Sequence, residues 1–189
     1  MKGRLILVVG QTGSGKGTLL NHVRGVLPDL VFPVSCTTRA MRPGEVAGKN
    51  YYFISDEEFK ERIARDEFLE WVHTDGKRYG TLKSEILEAL ERGKSVVREM
   101  DVKGVVKVRQ FLPPEMIRTI YINAGSWDEL RVRILARAPL SGEELESRRR
   151  RFEEELHFEH EADFIVQNPT GGLLQAQIDF VRAVEEAQR

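Results

Sequence analysis

Residues 5–18 read Leu-Ile-Leu-Val-Val-Gly-Gln-Thr-Gly-Ser-Gly-Lys-Gly-Thr. The apolar run Leu5 to Val9 suits a buried strand, and it feeds directly into a turn with glycine at positions 10, 13 and 15. Glycine takes backbone conformations closed to other residues, so such a turn brings amide N–H groups close to an anion at the start of the next helix. Lys16 then supplies a point charge for the outer phosphates. The stretch Gly10, Gln11, Thr12, Gly13, Ser14, Gly15, Lys16, Gly17, Thr18 is therefore a phosphate cradle, and it predicts nucleotide binding. Its spacing is Gly, four residues, Gly-Lys, then normally Ser or Thr. Here Gly17 takes that last place and Thr18 follows, so the hydroxyl usually expected on magnesium is missing.

Outward from this turn, apolar runs suited to buried strands recur at Leu30 to Val34, Ser95 to Met100, Ile117 to Ile122 and Phe164 to Val166. Helical patterns separate most of them, and this alternation predicts an α/β fold with a parallel sheet covered by helices. Ser55 with Glu58 and Ser126 with Glu129 have the spacing of capping boxes, and Gly93 closes the helix that begins near Lys83. The closing segment places Leu174, Ile178, Val181 and Val184 at helical spacing, which predicts a helix packed on the sheet through those residues. From Thr37 to Arg92 the pattern changes to a loop, a short strand at Tyr51 to Ile54, a helix, a strand at Phe68 to Val72, Gly76, another strand and a helix. This reads as a small α+β insertion able to move relative to the core. Simple alternation puts Phe68, Glu70 and Val72 on one face of their strand and Leu69 and Trp71 on the other, and periodicity alone leaves open which face is buried. Residues 125 to 160 are charge-dense and mostly helical.

A chain of 189 residues with 41% hydrophobic content fits one domain with a real core. Twenty-nine basic and thirty acidic residues leave a net charge of −1, which argues against nucleic acid as a partner. The single cysteine, Cys36, rules out an internal disulfide framework. Leu5 to Val9 is too short for a signal-peptide core or a membrane span. A cytoplasmic protein without a membrane partner is the expectation. The four histidines, at 22, 73, 157 and 160, form no metal site by spacing.

A second constellation, Ser35 to Phe53, reads Ser-Cys-Thr-Thr-Arg-Ala-Met-Arg-Pro-Gly-Glu-Val-Ala-Gly-Lys-Asn-Tyr-Tyr-Phe. Guanidinium groups bind phosphate oxygens bidentately and a phenol adds a neutral donor, so Arg39, Arg42 and Tyr51 are suited to hold one phosphate monoester. A solvated basic loop is the alternative for that stretch taken alone. Further blocks follow at Phe68-Leu-Glu-Trp-Val, Gly76-Lys-Arg-Tyr-Gly-Thr81 and Glu99-Met-Asp-Val-Lys-Gly104, with weaker ones at Leu130 to Arg137, Arg148 to Glu155 and Val166-Gln-Asn168. On these blocks nearly the whole chain resembles the guanylate kinase family, whose members phosphorylate GMP with ATP.

The resemblance implies a P-loop NTPase-type parallel sheet with helices on both faces, an inserted small α+β nucleotide-monophosphate-binding region and a helical lid. The parts of this single domain would be a core at 1–36, 93–125 and 161–189, a GMP-binding insertion at 37–92 and a lid at 126–160. Substrates would be ATP and GMP, with dGMP as a related acceptor, Mg2+ would accompany ATP, and the protein would be a monomer or small homo-oligomer. Arg39, Arg42, Tyr51 and Tyr79 would hold the GMP phosphate, with Glu45 shaping the loop. Glu70 would read guanine, because a carboxylate only accepts hydrogen bonds and guanine offers two adjacent donors, N1–H and the 2-amino group. Ser35 and Thr81 resemble the hydroxyl donors that the family aims at O6, and Asp101 would sit beside the base amino group.

Phosphoryl transfer needs phosphates held in line and charge neutralised, so positive groups are the catalysts. Lys16, Arg39, Arg133, Arg137 and Arg148 would carry that role, the last three from the lid. Arg133 and Arg137 are four apart and share a helix face; surface pairing with Asp128 and Glu129 is the competing reading. Placing the lid arginine at Arg148 puts the family's glutamate at Glu155. Glu99 would hold Mg2+ through water where the family usually has aspartate, and Arg98 beside it is an unexpected neighbour. Two other readings are a non-catalytic guanylate-kinase-like module that binds phosphorylated partners, and a kinase for another small phosphate such as a ribose bisphosphate.

Overall fold

A computed structural model of the chain describes residues 3–74, 76–137 and 140–189, with the side chains of Thr74 and Arg137 outside that description. In chain order its elements are β1 (Leu5–Gly10), α1 (Lys16–Val26), β2 (Cys36–Thr37), β3 (Tyr52–Phe53), α2 (Asp56–Ala64), β4 (Phe68–Thr74), β5 (Lys77–Leu82), α3 (Lys83–Glu91), β6 (Val96–Glu99), α4 (Val102–Phe111), β7 (Ile117–Asn123), α5 (Trp127–Arg137), α6 (Gly142–Leu156), β8 (Phe164–Gln167) and α7 (Leu173–Ala187). The main sheet is parallel, in the order β6-β1-β7-β8. Leu5, Leu7 and Val9 face one layer, built from α3 and α4, while Ile6 and Val8 face the other, built from α1 and α7. All five are fully buried, and each side chain of this kind contributes about 1.5–3 kcal/mol on burial. This α/β arrangement with helices on both faces is the one the alternating pattern predicts. Its crevice lies beyond the carboxyl ends of β1 and β6, where chain order reverses around β1.

Leu30 to Val34 does not form the fifth strand expected of it. Val31 makes one bridge to the sheet edge, donating to Ser95 O and accepting from Val97 N–H, both at 2.9 Å. The next rung of a parallel ladder would need the N–H of residue 33, and Pro33 has none. The helix α7 forms as predicted, with Val184 buried and Val181 packed on the core as expected, but the rest of its buried stripe is different. Ala176, Phe180, Ala183, Val184 and Ala187 face the sheet, while Leu174 is 73% exposed and Ile178 41%. Small alanines let the helix axis approach closely, and the larger leucine and isoleucine fall on the outer side.

The helix starts follow the predicted chemistry. Ser126 and Glu129 cap α5 reciprocally, at 2.9 and 3.4 Å, whereas Ser55 accepts from Glu58 N–H at 3.0 Å. A further capping box, Ser141 with Glu144, starts α6. Gly93, at φ 73°, follows α3 in the left-handed conformation that ends helices.

The insertion is a second sheet, in the order β3-β2-β5-β4, with its own small core of Cys36, Phe59, Phe68 and Leu82. Burial pushes the Cys36 thiol up to about 11, as suits a packed residue. A bulge between Phe68 and Glu70 breaks the alternation of β4. Phe68 therefore packs with Trp71 into the small core and Leu69 reaches the main one, while Glu70 and Val72 line a cleft. The expected grouping of Phe68 with Glu70 and Val72 fails for this reason: one extra residue in a strand reverses the faces beyond it.

Candidate active site

Gly10, Gly13 and Gly15 have φ of 145°, 90° and 91°, values that only glycine adopts freely. The turn they make folds Lys16 back on it. The Lys16 ammonium donates to Gly10 O at 2.6 Å and Gln11 O at 3.1 Å, and lies 3.6 Å from Glu99 Oε1. Gln11 and Ser14 are fully buried, so they offer the cradle backbone rather than side chains. Gln11 Oε1 accepts from Ala124 N–H at 3.4 Å, which pins the turn to the end of β7.

Asn168, just beyond β8, is 5% exposed and braces the turn from behind. Its carboxamide donates to Ser14 O at 2.7 Å, its N–H donates to Asn123 O at 2.7 Å, and its carbonyl accepts from Arg133 Nη2 at 2.9 Å. A Cβ on residue 15 would sit 2.6 Å from the Asn168 Nδ2. Gly15→Ala is accordingly expected to lose about 1–2 kcal/mol from the left-handed backbone alone, with the Asn168 clash in addition. Chemical denaturation should show a lowered midpoint and calorimetry a weakened ATP affinity. An unchanged midpoint would contradict this account of the cradle.

Two clefts open beside the turn. The first, about 990 Å³, is bounded by Thr12 to Thr18 on one side and by Arg133, Leu140 and Arg148 on the other. The second, about 300 Å³, lies between the crevice of the main sheet and the insertion, and carries Glu70, Tyr79, Arg98, Asp101, Arg151 and Glu155. Thr12, Lys16 and Glu99 line both.

Behind the wall of the second cleft Thr81 is fully buried, and its hydroxyl donates to Glu70 Oε1 at 2.7 Å; on the wall itself Asp101 caps α4 by accepting from Gly104 N–H at 2.7 Å. Tyr79 leads on to the arginine loop. The rings of Tyr51 and Tyr79 meet edge to face at 6.0 Å, and the Arg39 guanidinium lies 5.5 Å from the Tyr51 centroid. Arg39 forms a two-pronged pair with Glu45, at 2.8 and 3.0 Å, and Arg42 N–H donates to the same carboxylate at 2.7 Å. The Arg39 hydrogen bond, then the Arg42 N–H, hold the Glu45 carboxyl below its ordinary range. Ser35 is nearly buried beside this sheet, and the side chain of Arg42 is exposed.

On the α5 and α6 side, Arg133 reaches the first cleft but is held by Thr170 Oγ1 at 3.2 Å and by Asn168 O, not by Asp128 or Glu129. Arg137 ends α5, and its side chain lies outside the described residues. Arg148 lines the first cleft. Glu155, where the resemblance puts the family's glutamate, is 7% exposed and lies beside the Thr12 backbone on the wall of the second cleft, so α6 reaches the turn directly. Burial holds its carboxyl above the usual range against the pull of Lys16 and Arg151. Neither Asn168 nor Glu155 has a local signature for its place at the turn, because each meets the turn across more than 140 residues of chain.

A lysine shared by two clefts that both carry arginines, beside a glycine turn at the carboxyl edge of a parallel sheet, defines a P-loop kinase that brings two phosphorylated substrates together. The chain belongs to the guanylate kinase family, whose model matches residues 2–172. It is 38% identical to the guanylate kinase of Thermotoga maritima over 189 residues, covering 100% of this chain and 89% of the relative. It is 40% identical to that of Rubrobacter xylanophilus, over 98% of this chain and 91% of the other. The crystal structure of guanylate kinase from Anaplasma phagocytophilum superposes with a TM-score of 0.73 at 25% identity, over 99% of this chain and 87% of that one. Among the described residues no helix is long and apolar enough to cross a membrane.

Proposed function

We propose that this guanylate kinase catalyses ATP-dependent phosphorylation of GMP to GDP with ATP in the first cleft and GMP in the second. The observation that carries the assignment is the wall common to both, since Thr12, Lys16 and Glu99 face each side. An oxygen of the GMP phosphate attacks the γ-phosphorus of ATP. The new P–O bond forms as the bond from that phosphorus to the β,γ-bridging oxygen breaks, and the electron pair leaves with ADP. Lys16 stands at this junction and neutralises charge on the moving group, with Arg133, Arg137 and Arg148 adding charge from the lid. Arg39, Arg42, Tyr51 and Tyr79 grip the acceptor phosphate, which requires Arg39 to turn part of its fork from Glu45 to the ligand. Ser35, Glu70, Thr81 and Asp101 surround the base.

Mg2+ bound with ATP would neutralise phosphate oxygens. Among the described residues no three His, Cys, Asp or Glu cluster around a metal position, and Gly17 offers no hydroxyl. Such a donor set fits an ion that keeps most of its waters and meets the protein through the exposed Glu99 carboxylate. The insertion at 37–92 serves as the acceptor-binding part, anchored in the core by α3, and residues 126–160 serve as the lid.

The test measures ADP release with Mg-ATP and, separately, GMP, AMP, CMP and UMP. A carboxylate left unpaired by the wrong base should favour GMP over AMP by about 10⁴-fold in kcat/KM. Equal rates with AMP and GMP would overturn the assignment.

A further inference from the structure

Arg98 projects from β6 into the second cleft, on the face that carries Val96 into the main core. Its side chain is 24% exposed, its Nε is buried with no partner among the described residues, and its Nη2 lies 3.5 Å from Glu70 Oε1. Thr81 donates to that same oxygen. Among the described residues, both partners of the Glu70 carboxylate thus gather at Oε1, and Oε2 is left to the cleft. Taken in order, Glu70 Oε2, Glu70 Oε1 and Arg98 Nη2 present acceptor, acceptor, donor. The hydrogen-bonding edge of guanine, from the 2-amino group through N1–H to O6, is donor, donor, acceptor. Adenine offers no donor at the first two places and a donor at the third.

We infer that Arg98 is a specificity-determining residue that donates to the 6-oxo group of the acceptor base while Glu70 accepts from N1–H and the 2-amino group. This rests on the GMP kinase reading above. The two side chains form one recognition strip: the ion pair orients the guanidinium before the base arrives, and the orphaned Nε marks donor capacity that no group among the described residues uses. A charge-assisted donor in a cleft shut by a closing lid discriminates more strongly than a hydroxyl alone.

Three acceptors separate this role from simple support of Glu70. GMP and IMP both carry the 6-oxo group, and IMP lacks the 2-amino group. In 6-thio-GMP a sulfur, a weak acceptor, replaces the oxygen, and N1–H and the 2-amino group stay. In Arg98→Leu, kcat/KM should fall about 10- to 100-fold for GMP and by the same factor for IMP, but less than threefold for 6-thio-GMP, with KM for ATP unchanged. Arg98→Lys should restore part of the loss with GMP and IMP, which also guards against misreading a folding defect. An equal loss on all three acceptors, or no loss on GMP, would overturn the role of Arg98 alone. Failure of the unsubstituted chain to phosphorylate GMP would overturn the kinase reading itself.

Discussion

Lys16→Ala is expected to lower kcat by about 10³-fold or more, since removal of even one neutral donor aimed at developing charge costs about 10²–10³. Two of the three ammonium donors are spent on Gly10 O and Gln11 O, which fix the nitrogen beside both clefts. The third faces Glu99 and the space between the substrates. No other side chain on the turn carries charge, so alanine leaves the transferred group with no protein cation on the turn side. Arginine is no remedy: a planar fork cannot reproduce three tetrahedral donors on two carbonyls and a phosphate. Lys16→Arg should remain at least about tenfold impaired. Steady-state ADP release checks both variants, with thermal melting to confirm that they fold. Activity within tenfold of the parent in Lys16→Ala would show that the turn has been misread.

Glu70→Leu should reduce kcat/KM for GMP by about 10⁴-fold while KM for ATP stays within threefold. The size follows from what is lost: two acceptors for guanine and the partner of both the buried Thr81 hydroxyl and Arg98. Glu70→Gln is the sharper variant. It keeps the shape, but its amide places a donor where guanine also donates, so the loss should approach that of leucine. Normal GMP kinetics in either variant would remove the carboxylate from base recognition.

Much of this was legible in the chain because some positions admit one chemistry only. Glycines at 10, 13 and 15 announce backbone conformations that the turn indeed adopts, and the strands β1, β6, β7 and β8 stand out as short apolar runs. The misses have equally local causes. A proline removed one donor and ended a predicted strand at a single bridge, and counting large apolar residues on α7 overlooked the alanines that face the sheet. The bulge in β4 reversed a strand face, a geometric event that alternation presupposes away. For the site, the arginine loop was visible from residue types at close spacing, whereas Glu70 stood out only through the family resemblance, since alternation left its strand face open. The bracing by Asn168 was not legible, nor was the burial of Glu155 against the turn, because contacts between distant parts of the chain leave no periodic trace.

The position of Asn168 has a consequence for how the donor side tolerates change. One carboxamide supports the glycine turn, and the carbonyl of the same residue holds Arg133. Cradle and clamp are thus surveyed from a single benchmark at the tip of β8. A displacement of that tip moves both together and preserves their spacing, whereas a change to the side chain alone sets them out of step.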